Sequence, residues 1–177
     1  MRRAGPVWQA VACMLALAGC ATLPPEPPPD APRIAGRLSV RVDAEPVRAV
    51  TASFELRGDA SNGLLLLSSP LGAAMAEARW SPGSTVLVSP NGKLRYADLD
   101  DMAAQTLGER LPMAALFEWL RGRPWTGAPH FALAPPASGF EQLGWQVRLE
   151  RWAEGFVEAR RGSPPPVTVR ARLEEST

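Results

Sequence analysis

The sequence predicts a mainly antiparallel β fold with helices packed on one face of the sheet. Three observations carry that prediction. Apolar and polar residues alternate over most of positions 34–97. Pro, Gly and Asn turn signals break the alternation at short intervals, and helical spacing takes over after Asp98. Short strands that follow one another through tight turns assemble most economically as an antiparallel meander.

Taken in order, Ile34 to Val42 has the period-2 pattern of a half-buried strand. Val50, Ala52, Phe54 and Leu56 share one face of a second strand, with Thr51, Ser53, Glu55 and Arg57 on the other. Asp59 to Gly63 is a turn cluster, and Leu64 to Ser69 makes a third strand. After Pro70-Leu71-Gly72, the run Ala73 to Trp80 resumes with Ala74, Ala76, Ala78 and Trp80 on one side. Ser81-Pro82-Gly83 and Pro90-Asn91-Gly92 bracket Thr85 to Ser89, and Lys93 to Ala97 completes the series. Asp98 then suits an N-cap, Asp100 and Asp101 suit a positive helix N-terminus, and Gly108 follows the last turn. A second helix has Pro112 in its first turn and ends before Gly122, with Met113, Leu116, Phe117 and Leu120 as its apolar stripe and Trp119 beside it. Pro124 to Gly139 reads as loop. Strands return at Trp145, Val147 and Leu149, and the last spans Val167, Val169, Ala171 and Leu173.

Residues 1–19 are a different kind of segment. Arg2 and Arg3 precede a mostly apolar stretch, Val7 to Leu17, which at about 11 residues is too short to span a bilayer. Leu17-Ala18-Gly19-Cys20 has the form of a bacterial lipobox, in which the signal is cut before a Cys that carries an S-diacylglycerol and an N-acyl group. An ordinary signal whose cleavage site lies beside a Cys is the alternative. Cleavage before Cys20 would leave 158 residues and, with Arg2 and Arg3 gone, a formal charge of −1 instead of +1. It also removes Cys13, so no thiol pair remains for a disulfide. Residues 20–33 hold six prolines, which favour an extended spacer of at most about 40 Å; 34–177 form the domain.

The domain carries little that suggests catalysis. Its single histidine, His130, has no nucleophile signature nearby, and neither a phosphate-binding glycine motif nor metal-ligand spacing is present. The arginines are spread singly along polar strand faces, which gives no stripe for nucleic acid. Two apolar features remain. Leu71, between Pro70 and Gly72, sits where turn side chains tend to face solvent, so it either turns inward or touches an apolar partner. Five tryptophans beyond the signal supply a core or the walls of a cavity, and sequence alone leaves both open.

On the lipobox, Gly36-Arg37-Leu38-Ser39-Val40, Phe54 with its strand, Leu67-Ser68-Ser69-Pro70-Leu71-Gly72-Ala73, Trp119-Leu120-Arg121-Gly122-Arg123-Pro124 and Gly139-Phe140-Glu141-Gln142-Leu143-Gly144-Trp145, the chain resembles the LolB family of outer-membrane lipoproteins. Its C-terminus departs from the family pattern, ending at Leu173-Glu174-Glu175-Ser176-Thr177 without a longer final strand bearing a Trp. The resemblance implies an incomplete antiparallel barrel whose concave apolar face, covered by helices, holds acyl chains. It implies an outer-membrane receptor that takes acylated lipoproteins from the periplasmic carrier LolA and places them in the membrane, without nucleotide, metal or other cofactor. The family's protruding loop Leu maps onto Leu71, between Pro70 and Gly72. The implied cavity set is Leu38, Val40, Phe54, Leu65, Leu67, Met102, Leu116, Trp119, Leu120, Trp145 and Val147. The expected partners are LolA, lipoprotein cargo and outer-membrane lipid, with the chain itself a monomer that binds no nucleic acid. The rival reading is a structural or assembly-scaffold lipoprotein with a filled core. A freely diffusing LolA relative and a lipid-handling hydrolase fit less well, the first because of the lipobox and the second for want of catalytic residues.

Overall fold

The computed structural model describes residues 23–174; the signal, Cys20 and the last three residues lie outside the described residues. Six strands come first: β1 (Arg33–Val42), β2 (Arg48–Gly58), β3 (Gly63–Ser68), β4 (Ala74–Ser81), β5 (Ser84–Ser89) and β6 (Gly92–Tyr96). Two helices follow, α1 (Leu99–Leu107) and α2 (Met113–Trp119). Five strands close the chain: β7 (His130–Ala132), β8 (Gly139–Gln142), β9 (Trp145–Arg148), β10 (Phe156–Arg161) and β11 (Val167–Leu173), with a 3-10 turn at Trp152–Glu154.

All eleven strands form one antiparallel sheet in the order β6-β5-β4-β3-β2-β1-β11-β10-β9-β8-β7. It is two meanders joined where β1 meets β11, from Gly36 opposite Leu173 to Val42 opposite Val167. The outermost strands β6 and β7 do not pair with each other, so the barrel is incomplete.

Alternation decides which side chains face the helices. On β2 the inward residues Ala52, Phe54 and Leu56 are buried, and on β4 so are Ala78 and Trp80. Trp80 stacks on Phe117 of α2 at 5.3 Å between ring centroids, which fixes this as the helix-covered, inner face. Gly63 lies directly opposite Trp80, and a Cβ there would come within 2.2 Å of the indole, so only glycine leaves the ring its place. Capping is as predicted for α1: the Asp98 side chain accepts from the Asp101 amide at 2.7 Å, and Gly108 takes the left-handed conformation at φ 75°.

The structure differs from the sequence reading in the second half. Residues 124–139, read as loop, contain β7, and β8 and β10 are strands that the reading left unassigned. β7 and β8 are three and four residues long, too short for periodicity to register. β10, Phe-Val-Glu-Ala-Arg-Arg, is four-sixths Ala and charged residues, which gives a weak strand signal, and it forms because β9 and β11 flank it.

A second difference concerns the proline-rich segment. Composition predicts an extended, semi-rigid spacer; in the structure Pro24 and Pro27 are buried, Glu26 pairs with Arg79 of β4 at 2.7 Å, and Pro32 O accepts from the Gly58 amide at 2.9 Å. Arg79 points away from the helices, flanked in register by Leu64 of β3 and Val86 of β5. Leu64 is 4% exposed and Val86 fully buried, although the helices lie on the other side of the sheet. Cover on this outer face comes from the segment that Glu26 holds there.

Candidate functional site

The β3–β4 turn carries the most exposed large apolar side chain among the described residues. Ser69 N donates to Ala73 O at 2.8 Å, Gly72 N to Ser69 O at 2.8 Å, and Ala73 N to Ser69 Oγ at 3.2 Å. Gly72 sits at φ 84°, which glycine adopts without strain. These bonds turn Leu71 outward, 97% exposed, with Pro70 and Gly72 exposed beside it. Of the two readings open for Leu71, inward packing is therefore ruled out. Folding gains nothing from an isobutyl group in water.

On the outer face beside this hairpin opens a hollow of about 560 Å³, where Glu55, Leu66, Glu77 and Val88 stand opposite one another in register, bordered by Arg33 and Met75. That volume falls within the range of small-molecule pockets. Phe54 and Leu67, both sequence candidates, border it but face the helices on the other side of the sheet; Met75, not a candidate, lies where the β3–β4 register shifts between Leu67 and Ser68. Glu55 accepts from Arg33 at 2.9 Å and from Arg57 at 2.6 Å. The Arg33 hydrogen bond first, and the Arg57 bond with it, hold the Glu55 carboxyl at about 2 despite its partial burial.

The structure divides the remaining candidates between two apolar clusters. Val40, Leu116, Trp119, Trp145 and Val147 belong to one, with Val42, Phe140 and Val167. Trp119 and Val147 are fully buried there and Trp145 is 2% exposed, so this half of the inner face is filled by its own side chains. These three pack as core residues in this state. Close packing explains it: the Trp119 ring of α2 and the Trp145 ring of β9 lie 5.7 Å apart between centroids, tilted against each other. Leu38, Phe54, Leu65, Leu67, Met102 and Leu120 belong to the second cluster. Leu38, Leu65, Leu67 and neighbouring Leu87 are only half-buried, so the unfilled apolar surface concentrates on β1 and β3–β5.

Polar groups hold the helices over this face. Asp100 Oδ1 accepts from the Met113 amide at 3.0 Å and so caps α2 from α1, while burial pushes its carboxyl above the usual range. Helix capping by Asp98 and Asp101 was legible in the sequence; this bridge was not. Gln142, 2% exposed, takes hydrogen bonds on Oε1 from Trp119 Nε1 at 2.8 Å and Trp125 N at 2.9 Å. Its Nε2 donates to Trp125 O at 2.7 Å and Ala128 O at 2.8 Å, tying β8 to α2 and the loop beyond it. His130 is exposed at the sheet edge, edge-on to Phe140 at 6.1 Å.

Comparison with known proteins adds to this geometry. A family profile described as Outer membrane lipoprotein LolB matches residues 31–175. Outer-membrane lipoprotein LolB of Bordetella petrii is 33% identical, the match covering 89% of this chain and 85% of the relative. The protein of the same name in Ralstonia nicotianae is 30% identical over 98% of this chain and 97% of its own length. That of Chromobacterium violaceum is 32% identical, with 79% of each chain covered.

Proposed function

The chain belongs to the LolB family of lipoprotein localisation factors, and we propose that it receives acylated lipoproteins from the periplasmic carrier LolA and places them in the outer membrane. It is an outer-membrane lipoprotein like its relatives. In this reading Cys20 carries the S-diacylglycerol and N-acyl anchor. The half-buried apolar surface of β1 and β3–β5 takes the acyl chains, and the Leu71 loop delivers them.

One observation supports delivery at that loop above all others: a leucine 97% exposed on a turn that hydrogen bonds lock outward. A side chain that loses by facing water gains by entering lipid. The energetics suit passive handover. Each buried CH₂ contributes about 0.8 kcal/mol, so a long acyl chain represents on the order of 10 kcal/mol, and no such chain leaves one apolar site except for another. We therefore assign no catalytic step and no nucleotide; cargo moves down an affinity gradient from LolA, through this domain, to the bilayer.

The test is Leu71→Glu. The variant is expected to fold, to accept a labelled lipoprotein from LolA at an unchanged rate, and to deliver it to liposomes about tenfold more slowly. Unchanged delivery would sink the role of the loop. The scaffold reading draws on the complete burial of Trp119 and Val147; it would prevail if the wild-type domain takes up neither cargo nor a lipid probe.

A further inference from the structure

We propose that the proline-rich segment is a strap that ties the lipid anchor to the outer face of the same β3–β4 hairpin whose tip carries Leu71. The proposal deepens the delivery reading and rests on it for its consequence, though not for the docking itself.

The geometry comes from one row of side chains. Leu64, Arg79 and Val86 stand opposite one another on β3, β4 and β5, facing away from the helices. The two apolar members are 4% and 0% exposed, and Arg79 between them keeps only 18% of its side chain in contact with solvent. Pro24 and Pro27, on either side of Glu26, are buried in turn. Burial on both partners, with an ion pair of 2.7 Å at the centre, is the signature of a docked segment. Proline favours it: a chain already extended loses little entropy when it lies down on a surface.

Docking shortens the leash. A free segment lets Arg33 stand about 40 Å from Cys20, whereas with Glu26 fixed on Arg79 only six residues remain, about 20 Å at full extension. Five residue steps along β4 separate Arg79 from Ala74 at the base of the Leu71 turn, about 17 Å of strand. The two lengths match. A strapped domain thus keeps the Leu71 tip within reach of the bilayer that holds its own anchor, while a free leash lets the tip point anywhere.

The experiment uses the mature, acylated full chain in liposomes. Spin labels on Pro25→Cys and Pro82→Cys, both exposed positions, report whether the segment is docked. In a Glu77→Gln background, which removes the second carboxylate paired with Arg79, the charge reversal Glu26→Arg breaks the pair from a side chain that is 54% exposed, so folding is not at risk, and adding Arg79→Glu restores it in reverse. One narrow distance is expected in the parent, a broad distribution in Glu26→Arg, and a narrow one again in the double variant. Delivery from LolA should fall severalfold in Glu26→Arg and recover in the double variant, with acceptance of cargo unchanged. A broad distance in the parent overturns the strap. A broad distance in Glu26→Arg with full delivery overturns its coupling to the loop. Narrow distances with normal delivery by Leu71→Glu would leave the docking in place and remove the delivery reading beneath its consequence.

Discussion

Leu71 and Glu55 show how far single residues carry function and stability here. Leu71 contributes nothing to packing, so its replacement by Glu should leave the unfolding midpoint unchanged while delivery slows. Glu55 is the opposite case: it serves the fold. Hydrogen bonds from Arg33 and Arg57 hold its carboxyl at about 2, below its unfolded value of 4.5. Its pairing therefore stabilises the fold fully above pH 4.5, and that stabilisation is lost as pH falls towards 2. Glu55→Gln should be less stable than the parent at pH 7, with the gap closing between pH 4.5 and 2 in urea titrations run across that range. A gap independent of pH would mean that shape, not charge, matters at this position.

At the scale of elements, β8 is the least legible piece of the sequence and one of the most connected. Four residues give no periodicity, yet Gln142 at its end satisfies two donors and two acceptors from Trp119, Trp125 and Ala128. Gln142→Ala leaves these groups without partners in a buried site, which should cost about 3 kcal/mol in chemical denaturation. A loss below 1 kcal/mol would show that water replaces the amide. The two helices were legible from spacing and caps, because those signals are local. The Asp100 bridge between them was hidden, since it depends on where α2 begins relative to α1 in space.

For the whole molecule, the boundary of the stable domain is set by packing and not by composition. A soluble form beginning at Leu23 keeps Pro24, Glu26 and Pro27 on the outer face; one beginning at Ile34 uncovers Leu64 and Val86. The shorter form should be less stable by about 3 kcal/mol, read from its urea midpoint. The longer one should take up a fluorescent fatty-acid probe, and failure to do so would argue against an acyl-binding face. By itself the sequence determined the strand faces of β1–β6, the caps of α1 and the family, because alternation, caps and motifs are written in neighbouring residues. Only the tertiary structure decided that β1 pairs with β11, more than a hundred residues away, and that Trp119 and Val147 fill one half of the inner face while Leu65 and Leu67 leave the other half open. It alone turned Leu71 outward and laid the prolines on the sheet. Each of these depends on which surfaces meet, and a local pattern states only that a residue is apolar, not what it will find to touch.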